Sequence, residues 1–149
     1  MRVTDAPWRR AARGALLLDA DGVARPTIFA EMSALAAATG ALNLGQGFPD
    51  EDGPAELLET ARDAIASGVN QYPPGLGMPV LREAIARHQK RFYELEVDPD
   101  REVLVTAGAT EALAATLLAF VETGDEVVTL EPVYDSYAAV IALAGGRHV

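Results

Sequence analysis

The segment TAGATEAL at residues 106–113 has residue types and spacing that can bind a phosphate. A predicted strand ends before Gly108, which permits a tight turn, and a helix is predicted to begin at Ala109 or Thr110. The first N–H groups of a helix lack intrahelical acceptors and lie at the positive end of its dipole, so they favour an anion. A glycine that only caps a structural helix explains the same residues, and the motif alone leaves both interpretations open.

A nicotinamide dinucleotide site is an alternative for this strand and helix. Glu131 follows Gly108 by 23 residues and closes the next predicted strand, where an acid that binds a ribose would stand. The fingerprint G-x-G-x-x-G, however, requires glycines at the positions of Thr110 and Leu113. The backbone could not approach a pyrophosphate in the usual way, and the sequence disfavours a dinucleotide.

Titratable side chains elsewhere give weaker indications. His88 lies on the apolar side of a predicted helix and is interpreted as a core histidine rather than a catalytic one. His148 lies too close to the end of the sequence to be interpreted. Lys90, the only lysine, is predicted on the polar face of the same helix, solvated and with an ordinary pKa. The absence of cysteine excludes disulfides, thiolate metal sites and cysteine nucleophiles.

Strands and helices alternate along the second half of the chain. The runs VLVT and VVTL alternate with the helical stretches ATEALAATLLAFVE and DSYAAVIALA, and GGRHV begins a third strand. Apolar strands without alternation, separated by apolar helices, predict a mostly parallel sheet covered on both faces. Two full strands leave open edges, so we expect the chain to be a piece of a longer α/β protein.

Three further helices are predicted before the first strand. One runs to Thr39 with Thr27 as its cap, the second begins at Pro54 and the third at Pro79. Each carries an apolar stripe that is expected to cover a core. Residues 1–25 show no sustained periodicity and are predicted to be a poorly ordered extension.

Composition narrows the classes of partner. The net charge is −10 with scattered basic residues, so a nucleic-acid backbone would be repelled. No stretch reaches the roughly 20 apolar residues of a membrane span, and none near the start is long enough for a signal peptide. We therefore expect a cytoplasmic protein without membrane or nucleic-acid partners. Half of the residues are apolar and the mean hydropathy is +0.11, so some apolar surface is expected to need a partner.

Five segments together resemble the class I/II aminotransferases of pyridoxal phosphate (PLP) fold type I. They are LNLGQGFPDEDGP, GVNQYPPGLGMPVLREAIA, VLVTAGATEAL, GDEVVTLEPVYDSY and the closing AGG, in the order and spacing of that family. The resemblance covers about residues 25–149. It implies an N-terminal helical arm with substrate and dimer loops at residues 26–78 and the beginning of the PLP-binding large domain at residues 79–149.

The resemblance implies that three residues bind the cofactor within one subunit. Ala109 and Thr110 match the positions whose backbone and hydroxyl hold the PLP phosphate, in agreement with the dipole of the helix that begins there. Tyr134 matches the aromatic residue that stacks on the pyridine ring. A tyrosine in a protein core is the alternative for Tyr134.

Three other positions are assigned by the resemblance to the substrate or to a second subunit. Gly47 matches the glycine whose backbone meets the substrate carboxylate, although it could serve only the turn. Phe29 aligns with an aromatic residue of the substrate pocket in kynurenine-type enzymes, and a core position explains it equally well. Tyr72 matches the tyrosine that reaches the partner's cofactor phosphate, which implies a homodimer with shared sites.

Catalysis in this family requires a lysine that forms a Schiff base with PLP. Lys90 does not match that lysine, so we expect no catalytic residue in this chain and place the Schiff-base lysine beyond Val149. The chain alone is expected to be inactive, while the parent is expected to be a transaminase.

Several functions remain open at this point. The parent is expected to exchange an amino group between an amino acid and a 2-oxo acid. The sequences of these motifs are most similar to those of N-succinyldiaminopimelate aminotransferases. This similarity implies N-succinyl-LL-2,6-diaminopimelate and 2-oxoglutarate as the substrates and lysine biosynthesis as the pathway. Kynurenine, glutamine or methionine transaminases and cysteine-conjugate β-lyases are alternatives within the fold. A non-catalytic binding module derived from it is the alternative of another class.

Overall fold

The computed structural model describes residues 6–47, 49 and 51–149. In chain order, the elements in these residues are α1 (Pro7–Gly14), α2 (Ile28–Thr39), α3 (Ala55–Ala66), α4 (Pro79–Tyr93), α5 (Ala109–Phe120), β1 (Glu126–Val127), α6 (Ser136–Ala144) and β2 (Arg147–His148). They belong to two compact units. Unit 1 comprises Met1–Gly47 and Ala107–Val149, and unit 2 comprises Phe48–Thr106.

The predicted helix boundaries agree with the structure where a cap or a proline marks them. The Thr27 hydroxyl accepts a hydrogen bond from the Ala30 N–H at 3.2 Å, which satisfies one of the first free donors of α2. Gly40 ends α2 in the left-handed conformation, with φ +67°. Pro79 is the first residue of α4, and Pro54 lies one position before α3 as its cap.

The second half of unit 1 has the predicted parallel arrangement. Strands β1 and β2 pair in parallel with Glu126 opposite Arg147, and α6 forms the connection between them. Two further bonds extend the pairing: the Val149 N–H donates to the Val127 carbonyl at 2.9 Å, and the Thr129 N–H donates to the Val149 carbonyl at 3.1 Å. A parallel pair joined by a helix is the repeating unit of α/β folds.

The predicted strand VLVT is not a strand in the described part of the chain. Residues 103–106 have no regular secondary structure, and the Val105 N–H donates to the carbonyl of Leu76, which lies in a turn, at 3.1 Å. Gly77 makes this contact possible, because a Cβ there would lie 2.6 Å from the Val105 side chain. An extended segment becomes a strand only beside a second strand, and here its neighbour is a loop.

The predicted N-terminal extension contains regular elements in its described part, residues 6–25, and its poor order stays a prediction. Helix α1 begins at Pro7 and packs against α6, and Leu18 forms an antiparallel bridge with Ala24. Gly14 is the point of close approach, since a Cβ there would lie 2.6 Å from the Ala138 carbonyl oxygen.

The apolar stripes of α2, α3 and α4 do not cover a core within this chain. Among the described residues the buried apolar side chains are Val140 and Ile141 of α6, and Ile141 is 1% exposed. Met32, Leu57 and Val80, one from each of the other helices, are exposed. The expected surplus of apolar surface is therefore present. The division at residues 25 and 78 stays a prediction, and the two compact units have other bounds.

Unit 2 is tied together by a buried arginine that the sequence did not single out. The Arg82 side chain leaves α4 and donates from Nε to the Gly77 carbonyl at 3.3 Å. It also donates to the Pro99 carbonyl and, at 3.0 Å, to the Asp100 carboxylate. Arg82 is 7% exposed, so this charged group joins the first turn of α4 to the residue Gly77 before the helix and to the turn at Pro99 and Asp100 after it.

Candidate functional site

Helix α5, which the sequence predicts to bind a phosphate, begins with an exposed first turn. Gly108 precedes it with φ +90° and ψ 171°, a conformation that favours glycine, and Ala109 is the first helical residue. Residues 107–110 are exposed, and nothing lies within 4 Å of a Cβ built on Gly108. The N–H groups of the first turn therefore face open space, where an anion can approach them.

Thr110 can add a side-chain donor to these backbone groups. Within the described ranges no side chain or carbonyl is hydrogen-bonded to its hydroxyl, and the residue is exposed. Thr116, on the same helix, donates its hydroxyl to the Ala112 carbonyl at 2.8 Å instead. The difference follows from position, because a mid-helix threonine reaches the carbonyl four residues back.

Glu111 is part of this helix start and was not singled out from the sequence. Its carboxylate accepts a hydrogen bond from the Ala107 N–H, just before the helix. An acid in the first turn stabilises the positive end of the helix dipole. The signal was present in the sequence, because Glu111 stands three residues after Gly108, the spacing of a capping box.

Tyr134 lies between β1 and α6 and is 52% exposed. Its ring centroid is 6.0 Å from that of Tyr137, with an interplanar angle of 73°, an edge-to-face contact that leaves a ring face open. The Tyr137 N–H donates to the Tyr134 carbonyl at 3.1 Å and holds the backbone at the start of α6. In this chain Tyr134 is not a core residue, and its stacking role stays a prediction.

The topology brings the start of α5 and Tyr134 to one edge of unit 1. Helix α5 ends at Phe120, the chain reverses, and β1 begins at Glu126. The chain that leaves β1 therefore returns toward the edge at which α5 began. This is the carboxyl edge of the strands, where α/β folds bind their ligands.

Gly47 closes a loop that is anchored to α2. The Asn43 amide donates to the Ser33 hydroxyl at 3.2 Å, and the Ser33 hydroxyl lies 3.4 Å from the Gln46 side-chain oxygen. The Asn43 side-chain oxygen accepts from the Gly45 N–H at 3.0 Å. Nothing lies within 4 Å of a Cβ built on Gly47, so packing within this chain does not require a glycine there.

The other two binding residues predicted from the sequence lie apart in the chain. Phe29 is half-buried in the first turn of α2, in unit 1. Tyr72 belongs to unit 2 and is fully exposed, as a residue that reaches another molecule would be. Ala109, Thr110 and Tyr134 belong to unit 1, and the roles of all these residues stay predictions.

Lys90 is exposed, as predicted, but the expectation of an ordinary pKa is wrong. Its ammonium donates to the Glu96 carboxylate at 2.7 Å, and this hydrogen bond, together with the charge of Glu96, raises the pKa of Lys90. The same contact lowers the pKa of Glu96. A lysine must lose its proton to attack an aldehyde, so this pairing moves Lys90 away from that chemistry.

Neither histidine is among the residues predicted to bind the cofactor or the substrate. His88 is exposed rather than in a core, and its ring lies 4.6 Å from the ring of Phe92 on the same helix face. The prediction that His88 is a core histidine is therefore wrong for this chain. His148 lies on β2, where Nε2 is 2.5 Å from the Thr129 hydroxyl across the ladder.

Comparison with solved structures identifies the class of fold. The chain superposes on N-succinyldiaminopimelate aminotransferase from Mycobacterium tuberculosis with a TM-score of 0.78 at 60% identity, covering 83% of this chain and 32% of that one. The predicted fold class, the beginning of a fold type I PLP-transferase, is thereby confirmed. The family follows from a second comparison, in which a family model of aminotransferases of class I and II matches residues 39–149. The chain belongs to this aminotransferase family.

Curated relatives agree with this family. The probable N-succinyldiaminopimelate aminotransferase DapC of Mycobacterium tuberculosis (strain CDC 1551 / Oshkosh) is 61% identical over 123 residues, 83% of this chain and 31% of that protein. The methionine aminotransferase of Escherichia coli (strain K12) is 54% identical over 120 residues, 80% of this chain and 31% of that protein. The chain thus spans about a third of the length of these relatives.

Membrane-spanning helices and metal-binding clusters are both absent from the described residues. None of their helices is both long enough and apolar enough to span a bilayer. They also contain no cluster of three or more histidine, aspartate or glutamate side chains arranged to hold a metal ion.

Proposed function

We propose that the polypeptide to which this chain belongs is a PLP-dependent transaminase that moves an amino group between an amino acid and a 2-oxo acid. The observation that carries the proposal is the open start of α5 after Gly108, in a chain of the aminotransferase family. When bound, PLP supplies an aldehyde that accepts the amino group and a ring that withdraws electrons. We place the protein in the cytoplasm.

Residues of this chain fit the cofactor. The N–H of Ala109 and the hydroxyl of Thr110 would hold its phosphate, because both lie at the exposed positive end of α5. The exposed ring of Tyr134 would stack on the pyridine. Tyr72, which is fully exposed, would reach the phosphate of a second subunit in a homodimer.

Gly47 and Phe29 would face the substrate. The open space at Gly47 supports this role, because no contact in the structure requires a glycine at this position. Its backbone would meet the substrate carboxylate where a Cβ would intrude. Phe29 would contribute an apolar contact from the first turn of α2.

Lys90 would not act in catalysis, since Glu96 stabilises its charged form. We propose that the lysine carrying the cofactor lies in the part of the parent beyond Val149, and that this chain alone is inactive. The chain would then supply the phosphate site, the stacking ring and one substrate loop.

The substrate we propose is N-succinyl-LL-2,6-diaminopimelate, with 2-oxoglutarate as acceptor. Its support is the identity of 61% to a probable N-succinyldiaminopimelate aminotransferase. Methionine is the second candidate, supported by the 54% identity to a methionine aminotransferase. Turnover of both amino donors by the parent protein, compared by kcat/KM, separates these candidates.

Borohydride reduction tests where the chemistry lies. The 149-residue chain and a polypeptide extended along the gene are mixed with PLP, and absorbance between about 330 and 430 nm is recorded before and after borohydride. We expect a fixed adduct in the extended polypeptide only. A specific adduct on Lys90 would contradict the proposal, and no adduct in either would favour a non-catalytic binding module.

The phosphate site is tested by a pair of threonine substitutions on α5. Thr110→Ala removes the proposed hydroxyl donor, and we expect the PLP Kd of the parent to rise about tenfold or more, the effect of losing a hydrogen bond to a charged group. Thr116→Ala is the matched control, since that hydroxyl is bonded to the Ala112 carbonyl. Equal Kd values for the two variants would refute the assignment of Thr110.

A further inference from the structure

The loop that carries Gly47 is joined to α2 by three polar side chains. Ser33 lies in the middle of α2, Asn43 and Gln46 lie in the loop, and all three are half-buried. No residue from Ala41 to Gly47 carries a charge. An anion that meets this loop therefore finds N–H donors rather than a cation, and the orientation of the side-chain amides decides which donors it finds.

The direction of each hydrogen bond among these side chains follows from one backbone group. The Gly45 N–H can only donate, and it donates to the Asn43 Oδ1 at 3.0 Å. The Asn43 amide nitrogen therefore faces Ser33 and donates to its hydroxyl at 3.2 Å. The Ser33 hydroxyl has a single proton, which it donates to the Gln46 Oε1 at 3.4 Å. The oxygen of the Gln46 amide is thus the atom that faces α2.

The nitrogen of the Gln46 amide is left as a donor beside Gly47. Among the residues that the structure describes, Nε2 of Gln46 has no acceptor, and it is not one of the atoms closed off from solvent. An amide nitrogen in a half-buried side chain is stabilised when water or a ligand accepts from it. At the next residue, nothing lies within 4 Å of a Cβ built on Gly47. A free donor and open space therefore belong to consecutive residues.

The contact with Ser33 orients the Gln46 amide without fixing it. A distance of 3.4 Å is long for a hydroxyl donor, for which the usual range ends at about 3.0 Å. The two contacts of Asn43 are shorter and hold the loop itself. The Gln46 amide can therefore turn slightly to meet a ligand while its oxygen still faces Ser33.

We infer that Gln46 is a further substrate-binding residue, whose amide nitrogen donates to the substrate carboxylate beside the Gly47 backbone. Ser33 and Asn43 are positioning residues that orient this amide. A carboxylate only accepts hydrogen bonds and has about four sites for them, so it can bind both donors at once, whereas the N–H groups of a neutral carboxamide would oppose them. This inference rests on the proposed transaminase function and adds a residue to its substrate site.

Hexanoate and hexanamide test this contact in the full-length parent protein with PLP bound. Both have the chain length of methionine, and neither has an amino group on its carbon chain to transfer, so their binding does not depend on the reaction. Calorimetry gives the Kd of each compound. The ratio of the hexanamide Kd to the hexanoate Kd, called the carboxylate preference below, isolates the contact with the carboxylate from the rest of the site.

Two substitutions of Gln46 separate the donor from the structural contact. Gln46→Glu keeps an oxygen that can accept from Ser33 but replaces the N–H donor, and the carboxylate preference should fall about tenfold or more. Gln46→Met removes the donor without adding a charge and should lower the preference about tenfold. Ser33→Ala should lower it about two- to fivefold, because only the orientation of the amide is lost.

Ser67→Ala is the control variant, since that hydroxyl donates to the Ala64 carbonyl at 3.1 Å just after α3. It should leave the carboxylate preference unchanged. An unchanged preference in Gln46→Glu would show that Gln46 only stabilises the turn and would overturn the inference. Equal losses of hexanoate and hexanamide binding in Gln46→Met would also overturn it, as would the absence of hexanoate binding to the unsubstituted protein.

Turnover separates this inference from the proposed function. In an active parent, Gln46→Met should raise KM for the amino donor about tenfold and change kcat less than about twofold, as loss of a contact made equally in the bound and transition states does. If the parent transaminates no amino acid, the proposed function fails, and a carboxylate preference that is lost in Gln46→Met still supports this inference. If the parent is active and KM is unchanged in Gln46→Met, the transaminase proposal stands and this inference fails.

Discussion

Units 1 and 2 are held together in different ways. In unit 1 the buried side chains are Val140 and Ile141, which lie on α6 between α1, α5 and β2. In unit 2 the buried side chain is Arg82, and its partners are two carbonyl groups and one carboxylate. Both statements apply to the described residues. Unit 1 is therefore stabilised by packing of apolar surface. Unit 2 is stabilised by the hydrogen bonds and ion pair of Arg82, which are called the polar tie below.

Both units also expose apolar surface that the chain itself does not bury. Helices α3 and α4 of unit 2 expose large apolar side chains, among them Leu57, Ile65, Val80 and Phe92. Their burial would contribute about 25 cal/mol per Å² of apolar surface, which a single polar tie does not replace. Unit 1 exposes large apolar side chains as well, among them Met32, Phe120 and Leu130, although α6 buries Val140 and Ile141.

Ile141→Ala gives the largest expected effect in this comparison. The side chain is 1% exposed, and its truncation should destabilise unit 1 by roughly 2–4 kcal/mol through lost burial and a residual cavity. Amide hydrogen exchange along α5 and α6 measures the change. Leu130→Ala is the control, because Leu130 is exposed in the same unit and its truncation should stay within about 0.5 kcal/mol. Equal effects would show that α6 is not the core of unit 1.

Arg82→Met tests the polar tie of unit 2. It keeps much of the side-chain volume but removes the donors to Gly77, Pro99 and Asp100, so the amides of α4 should lose about 2–3 kcal/mol of protection. Arg87→Met is the control on the same helix. That arginine is exposed and lies 3.7 Å from Glu83, and such a pair contributes about 0.5 kcal/mol or less. Unchanged exchange in Arg82→Met would mean that unit 2 is held by other contacts.

The features predicted correctly from the sequence are those that local chemistry decides. Thr27 caps α2 with its own hydroxyl, Pro79 starts α4, and Gly108 provides the positive φ before α5. Each of these residues acts on its immediate neighbours in the chain. The family resemblance, carried by several motifs in register, was confirmed for the same segments.

The features missed from the sequence depend on contacts between distant residues. Arg82 meets the turn at Pro99, and Gly14 meets α6 more than a hundred residues later in the chain. VLVT has the composition of a strand, but strand pairing needs a neighbour that its own residues do not specify. The start of α5 could be predicted because Gly108, Ala109 and Thr110 are consecutive in the chain.

Leu16→Gly and Glu94→Gly compare the ends of helices in the two units. Leu16 has φ +58° after α1 and Glu94 has φ +57° after α4, and both are expected to carry strain that glycine lacks. Each substitution should stabilise its unit by up to about 1 kcal/mol, the scale of left-handed backbone strain. An unchanged free energy of unfolding in either variant would mean that its left-handed residue carries no strain.

The ion pair of Lys90 and Glu96 gives the smallest expected effect, because both groups are fully exposed. The lowered pKa of Glu96 means that its contribution is present above the ordinary carboxyl range and is lost as the pH falls through the lowered value. The raised pKa of Lys90 means that its contribution is present below 10.5 and is lost as the pH rises through the raised value. A double-mutant cycle of Lys90→Ala and Glu96→Ala should therefore show coupling at neutral pH that disappears in acid, in strong base and at high salt. Coupling that persists in acid would require a contact other than the ion pair, and unit 2 would then have a second tie besides Arg82.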